Sequence, residues 1–135
     1  MRSFPFTPRS VAELEIGDFW TVALPSGGLG LLQVRDLKRT GPGARTSLVA
    51  GVVDWRGDAQ PQVDDLRGRR VLAQGLTRIE AFTEGAAAVL GNTTETVPTA
   101  GLTSSFRDSG VGTVTRVWGW KALPRRTEQV LQKPG

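Results

Sequence analysis

The sequence predicts a mainly β domain, an antiparallel curled sheet or partly open SH3-like barrel that carries one or two short helices. Two observations support this class. Several short segments alternate apolar and polar residues or are rich in β-branched residues, and turns with glycine and proline separate them. Because consecutive hairpins connect such segments most simply, we expect about six or seven antiparallel strands.

The first three predicted strands form a meander. Residues 19–24 alternate with a period of two, and the turn at residues 25–28 contains Pro25 and paired glycines, which permit positive φ. A second strand is expected over residues 30–37. A third is expected over residues 46–55, where aliphatic and β-branched residues are enriched.

The elements that follow are shorter and less regular. We expect a loop or short helical turn at residues 56–68, a short strand at 70–74, helix or strand at 76–82, a buried strand or helical turn at 86–90, an exposed connection at 93–103 and a hairpin over 102–120. In the last strand of that hairpin, the period of two places Arg116, Trp118 and Trp120 on one face.

Both ends of the chain are assigned to one predicted domain, residues 1–135. Two prolines within residues 1–10 indicate an extended leader, which we expect to lie across a sheet edge. Pro124 favours helix initiation, so residues 124–135 are predicted to form a short helix or tail.

The composition excludes most catalytic chemistry. The chain has no histidine, cysteine or tyrosine, so it lacks the side chains of Ser-His-Asp triads, thiol catalysis and most zinc sites. The acids Glu13 and Glu15 lie in a polar segment and are interpreted as solvated, and the glycines of residues 27–30 are interpreted as a hairpin turn because no Lys-Ser/Thr pair follows them. We therefore predict a protein that is not an enzyme and has no cofactor or metal site.

Charge and hydropathy bear on location and partners. The 17 basic and 13 acidic residues give a net charge of +4, but both signs are interspersed, so no stripe of one sign predicts a membrane surface or nucleic acid. No run approaches the roughly 18 apolar residues that span a bilayer, and no apolar signal segment follows the first residues. We expect a cytoplasmic protein without a membrane partner. Its excess of arginine over lysine suggests a bacterial source with a GC-rich genome.

Tryptophans and charged residues are the candidate binding groups. Of the four tryptophans, Trp20 is interpreted as core because it lies within the first strand. The others lie beside charged residues, and tryptophan and arginine dominate the binding energy of many protein interfaces. The predicted partner-binding residues are Trp55, Arg56, Asp58, Asp64, Asp65, Trp118 and Trp120.

Two segments resemble a known family. A Gly17-Asp18 pair precedes an aromatic strand that ends in Leu24-Pro25, and a later glycine is followed by a hydrophobic-Gly segment over residues 85–92. In this order and spacing they resemble the immunity protein 26 family of bacterial polymorphic-toxin systems, over about residues 14–92. Where that family usually has a tryptophan, this chain has Ala87 or Ala88. The resemblance implies an antidote that blocks a cognate protein toxin by contact, without catalysis.

Two other functions remain open at this stage. A small SH3-like or OB-like nucleic-acid-binding module would require an exposed Trp55, Trp118 or Trp120 beside Arg56 and Arg116. A carboxylate-based hydrolase would require two acids, such as those of the Asp64-Asp65 pair, to converge in a pocket.

Overall fold

The fold is a curled, six-stranded sheet that forms half of a barrel. The computed structural model describes residues 2–99 and 116–132. Its strands lie in the order β5-β1-β2-β3-β4-β6, and they are β1 (Asp18–Ala23), β2 (Leu29–Leu37), β3 (Ser47–Gly57), β4 (Arg70–Arg78), β5 (Gly91–Asn92) and β6 (Val97–Pro98). The predicted mainly β class is confirmed.

Short helices accompany the sheet. They are α1 (Val63–Leu66), α2 (Glu80–Thr83) and α3 (Leu123–Gln132), and 3-10 turns occur at Val11–Glu13 and Trp120–Ala122. In the part of the chain that the structure describes, no helix is long and apolar enough to cross a membrane.

Strands β1 to β4 pair consecutively and antiparallel, as the meander prediction requires. The turn between β1 and β2 is tight because Gly27 and Gly28 adopt φ values of 108° and 78°, and the backbone N–H of Leu24 donates to the Gly28 carbonyl at 2.9 Å. Register shifts interrupt the β2–β3 and β3–β4 ladders, and such bulges increase twist and bend the sheet.

The two outermost strands are very short. β5 pairs antiparallel with the start of β1, whereas β6 pairs parallel with the start of β4. Near the end of β4, residues 116–118 also run parallel to the strand: the N–H of Leu76 donates to the Arg116 carbonyl, and the N–H of Trp118 donates to the Leu76 carbonyl, both at 2.7 Å.

The sheet is buried on both faces. On one face, Trp20 contacts Phe82 of α2 with ring centroids 4.8 Å apart, and this larger cluster also includes Leu123 of α3. On the other face, Phe19 belongs to a smaller cluster that includes Leu66 of α1. The prediction that Trp20 is a core residue is confirmed, since none of its surface is exposed.

Several predictions for the second half of the chain need correction. β4 is longer than predicted, and α2 follows it directly. Residues 86–90 form neither a strand nor a helical turn. Ala86 has a positive φ of 58°, which neither element uses, and Val89 forms only an isolated bridge, with Phe6 of the leader. Of the predicted hairpin, residues 100–115 lie outside the described residues, and the 3-10 turn at Trp120–Ala122 ends the alternation that was expected to continue to Trp120.

The connection after β5 was expected to be exposed, but Thr93 and Thr96 are buried. Buried Gln33 explains this difference, because its side-chain N–H donates to the Thr93 carbonyl at 2.6 Å and its Oε1 accepts from the Thr96 hydroxyl at 2.7 Å. Arg35 donates to the same threonine hydroxyl at 3.0 Å. Polar side chains of β2 therefore hold this connection on the sheet, and burial lowers the pKa of Arg35.

Trp118 generates a prediction about stability. Its ring packs directly on Gly75, where an added Cβ would come within 3.0 Å of the indole, whereas a Cβ on neighbouring Gly119 would meet no atom within 4 Å. We expect Gly75→Ala to lower the free energy of unfolding by about 1–3 kcal/mol because the ring must move. Gly119→Ala is the matched control. Urea denaturation measures both, and equal midpoints for the two variants would contradict the packing.

Candidate functional site

Trp55 and Arg56 lie at the end of β3, and both are engaged within the fold. Trp55 is half-buried against the smaller core cluster, and its ring covers Gly57. Exposed Arg56 donates to the Ser26 hydroxyl at 2.8 Å and to the Gly27 carbonyl at 3.1 Å, and lies 3.8 Å from the Glu128 carboxylate. Arg56 therefore ties the β1–β2 turn to β3 and α3.

The predicted acids Asp58, Asp64 and Asp65 are all exposed, and they follow β3 in the chain. The Asp64 carboxylate lies 3.2 Å from Arg67, and the Asp65 carboxylate accepts the Gln62 N–H at 2.7 Å, which caps α1. Asp58 is exposed, and within residues 2–99 and 116–132 its carboxylate forms no ion pair. With exposed Asp54 of β3, they are four exposed acids that are close in sequence, which we call the acidic rim: Asp54, Asp58, Asp64 and Asp65.

Trp118 and Trp120 do not share a surface, so the prediction that both contact a partner needs correction. Trp118 is only 6% exposed because its ring packs on β4, and it belongs to the larger core cluster. Trp120 is half-buried at the start of a 3-10 turn, and the Lys121 ammonium lies 5.5 Å from the centre of its ring. Trp120 therefore remains a candidate binding residue, whereas Trp118 is a core residue.

Trp120 lines a cleft of about 460 Å³ beside β1, which we call the β1 cleft. Its walls are formed by β1, the segment at residues 85–90 and the turn before α3. A single side chain from the loop after β3, Gln60, also reaches it, and the Thr21 hydroxyl lies 2.8 Å from the Gln60 carbonyl oxygen. The cleft therefore lies between the loop that carries the acidic rim and the turn that carries Trp120.

The cleft exists because the neighbour of β1 leaves it early. β5 pairs only with Asp18 and Phe19, and the N–H of Leu90 donates to the Phe19 carbonyl at 2.8 Å. One residue earlier, Val89 exchanges two hydrogen bonds with Phe6 instead, at 3.1 and 2.8 Å. Residues 20–23 of β1 consequently have a paired strand on one side and the cleft on the other.

The polar groups of the cleft are few. Among its described lining residues, Lys121 is the one charged side chain, and no carboxylate is present. The Trp20 indole N–H lies in a buried part of the wall and donates to none of the described protein atoms. Thr21 and Gln60 add a hydroxyl and an amide, and the rest of the described lining is aromatic, aliphatic or small, as is typical of surfaces that bind by shape and burial.

The carboxylates in the described part of the chain do not form a cluster of metal ligands. Within it, no group of three or more carboxylates is placed to hold a metal ion. Asp64 and Asp65, which the hydrolase alternative requires in a pocket, are exposed on α1 and engaged with Arg67 and the helix N-terminus.

Apart from Trp120, the sequence did not identify the binding residues that line the cleft. Thr21, Val22 and Ala23 belong to an ordinary strand pattern, and residues 86–88 are three alanines. One usable signal was present: the second half of β1 contains no charge or proline, although such residues protect most exposed strand edges.

Comparisons with protein-family models, with curated proteins and with solved structures found no match to this chain.

Glu128 generates a prediction about pH. Hydrogen bonds from the Ser26 hydroxyl and backbone N–H hold the pKa of Glu128 below its ordinary value of 4.5, with a smaller contribution from the charge of Arg56. Because the folded-state pKa is the lower one, ionised Glu128 stabilises the fold above about pH 4.5, and this contribution is lost as the pH falls through the folded-state value. Glu128→Gln should therefore lose less stability than the wild type between about pH 6 and pH 3.

Urea midpoints at several pH values measure this difference. In a Ser26→Ala background the main donor is removed, so Glu128→Gln should change the pH dependence less than it does in the wild-type background. An equal change in both backgrounds would show that the Ser26 hydroxyl is not the cause.

Proposed function

We propose that this chain is a non-enzymatic protein-binding protein that neutralises a cognate bacterial toxin by direct contact, as an immunity protein does. The observation that carries the proposal is the β1 cleft, where a strand edge that pairs with no described strand and the half-buried Trp120 are presented together. Tryptophan in a partly desolvated wall is the kind of group that supplies binding energy at protein interfaces.

The charges around the cleft support a protein partner. Lys121 lines the cleft, and Asp58 of the acidic rim is exposed two residues before Gln60, which lines the cleft from the loop after β3. Opposite charges around an apolar cleft orient the partner protein and raise its association rate, and they contribute less to the equilibrium affinity. Local complementarity of this kind does not depend on the net charge of +4.

The placement of the aromatic residues gives less support to the nucleic-acid alternative. That function needs an exposed tryptophan beside a free arginine on which a base can stack. Trp118 is buried beside exposed Arg116, and Arg56 is bonded to the β1–β2 turn beside a half-buried Trp55.

The test is growth rescue with the protein that the adjacent upstream gene encodes. We expect that protein to arrest growth when expressed alone, and co-expression of this chain to restore growth through a complex that co-purifies. Lys121→Glu and Asp58→Lys should each weaken the complex by about tenfold, because Lys121 is an exposed charge in the cleft lining and Asp58 is an exposed charge two residues before the lining residue Gln60.

Glu13→Lys is the control for charge reversal, since Glu13 is exposed on the 3-10 turn at Val11–Glu13 and does not line the cleft. Calorimetry of the purified complex provides the affinities. The proposal fails if the neighbouring gene product is not toxic, or if this chain neither rescues growth nor binds it.

A further inference from the structure

We infer that the β1 cleft binds one extended segment of the partner protein as an added β-strand, and that this segment carries an acidic residue. The inference rests on the proposed function, because it names the part of the partner that the cleft receives. Strand addition uses main-chain hydrogen bonds for affinity and pockets for alternate side chains for specificity.

The first argument comes from the backbone of β1. In an antiparallel strand, the N–H and C=O of alternate residues point to opposite sides. Since the Phe19 carbonyl accepts from Leu90 on the β5 side, the backbone groups of Thr21 and Ala23 point to that same side. β5 has ended there, so these groups face the cleft.

The edge is unprotected over its whole free length. Residues 20–23 contain no charge or proline, and the β1–β2 register is regular along them. At about 3.4 Å per residue, the free edge extends for about 13 Å, which matches a strand of about four residues. Natural proteins usually blunt such an edge, so an open edge beside a cleft indicates a position for another strand.

The opposite wall is also suited to an extended chain. It consists of Ala86, Ala87 and Ala88, whose methyl side chains leave the backbone accessible. Their backbone N–H groups donate to no described backbone carbonyl, although the Ala87 carbonyl accepts from Thr7 at 3.4 Å. An inserted strand therefore meets donors on both sides.

The side chains of the cleft determine the chemistry of the segment. One wall presents Trp20, Val22 and Trp120, which favour small or β-branched apolar residues at alternate positions. Lys121 is the charged residue of the described lining, and no described carboxylate competes for it. An acidic residue at the end of the segment near Lys121 therefore completes the charge pairing.

A second copy of this chain does not suit the cleft. In each copy, the β1 edge is flanked by residues 85–90 and by the turn before α3. The β1 edges of two copies therefore cannot approach each other unless residues 85–90 are displaced. A single extended segment enters without that change.

The probe for the test is a phage-displayed library of random heptapeptides, panned on the full chain. We expect enrichment of peptides with alternating β-branched residues and one acid. In the best peptide, N-methylation of alternate backbone nitrogens should reduce binding by about tenfold, whereas N-methylation of the intervening nitrogens should have little effect. Equal effects at all positions, or no enrichment, would overturn strand addition.

Ala23→Pro is the decisive variant, because proline removes the N–H that faces the cleft. Ala23 is opposite Leu29 of β2 on its other side, and no described strand pairs with it on the cleft side. We expect Ala23→Pro to reduce peptide binding by about tenfold, whereas the control Thr40→Pro, in the exposed loop between β2 and β3 and outside the cleft, keeps the affinity. Unchanged urea midpoints show that both variants fold. Equal peptide binding by the two variants would overturn the inference.

Two further results separate the competing explanations. Lys121→Glu should favour a peptide in which lysine replaces the acid, and the absence of this exchange would overturn the acidic assignment.

Sedimentation that shows a dimer of the wild type but not of Ala23→Pro would assign the edge to a second copy. If Ala23→Pro still rescues growth and binds the toxin fully, strand addition fails and the proposed function stands. If the wild type binds peptide but neutralises no toxin, the proposed function fails alone.

Discussion

The burial of the central strands on both faces is the constraint on which the rest of this structure depends. Residues 31–34 of β2 and 48–53 of β3 are buried without interruption, so neither face of the sheet is left for water. A sheet of this kind requires a cover on each side. The leader, α2 and α3 cover one face, while α1 and the connection after β5 cover the other.

The open edge of β1 follows from the way this cover is built. Phe6 packs against the larger cluster and takes Val89 as its backbone partner, which draws residues 85–89 away from β1. The short β5 therefore pairs only with the start of β1. A longer β5 would have paired with the rest of the β1 edge, which instead lies beside a wall of small residues. The candidate binding site therefore exists because Phe6 of the leader, and not β1, pairs with Val89.

Such a site needs no reactive side chain. Main-chain donors and acceptors provide direction, the apolar wall provides burial, and the charges of Lys121 and the acidic rim provide orientation. This arrangement is compatible with a composition that lacks histidine, cysteine and tyrosine. In the proposed function, two of the binding residues, Trp120 and Lys121, begin the turn that leads into α3.

Local pattern was sufficient for the meander. Alternation, the glycines of the turn at residues 25–28 and the β-branched run of β3 predicted three strands and their antiparallel pairing, because hairpin contacts involve neighbours in sequence. Trp20 was predicted to be core for the same reason. Trp55 and the acids after it are close in sequence, but the structure distributes them over the end of β3, the loop that follows and α1.

The remaining features depend on contacts between distant parts of the chain. Trp118 was predicted to bind a partner, but Gly75 provides the space in which its ring is buried, and that packing brings together residues far apart in sequence. Thr93 and Thr96 are buried because Gln33 supplies their hydrogen bonds. By itself, the sequence determined a mainly β sheet and a composition without common catalytic groups. Only the tertiary structure decided which strand edge stays open, because that depends on whether Val89 pairs with β1 or with Phe6.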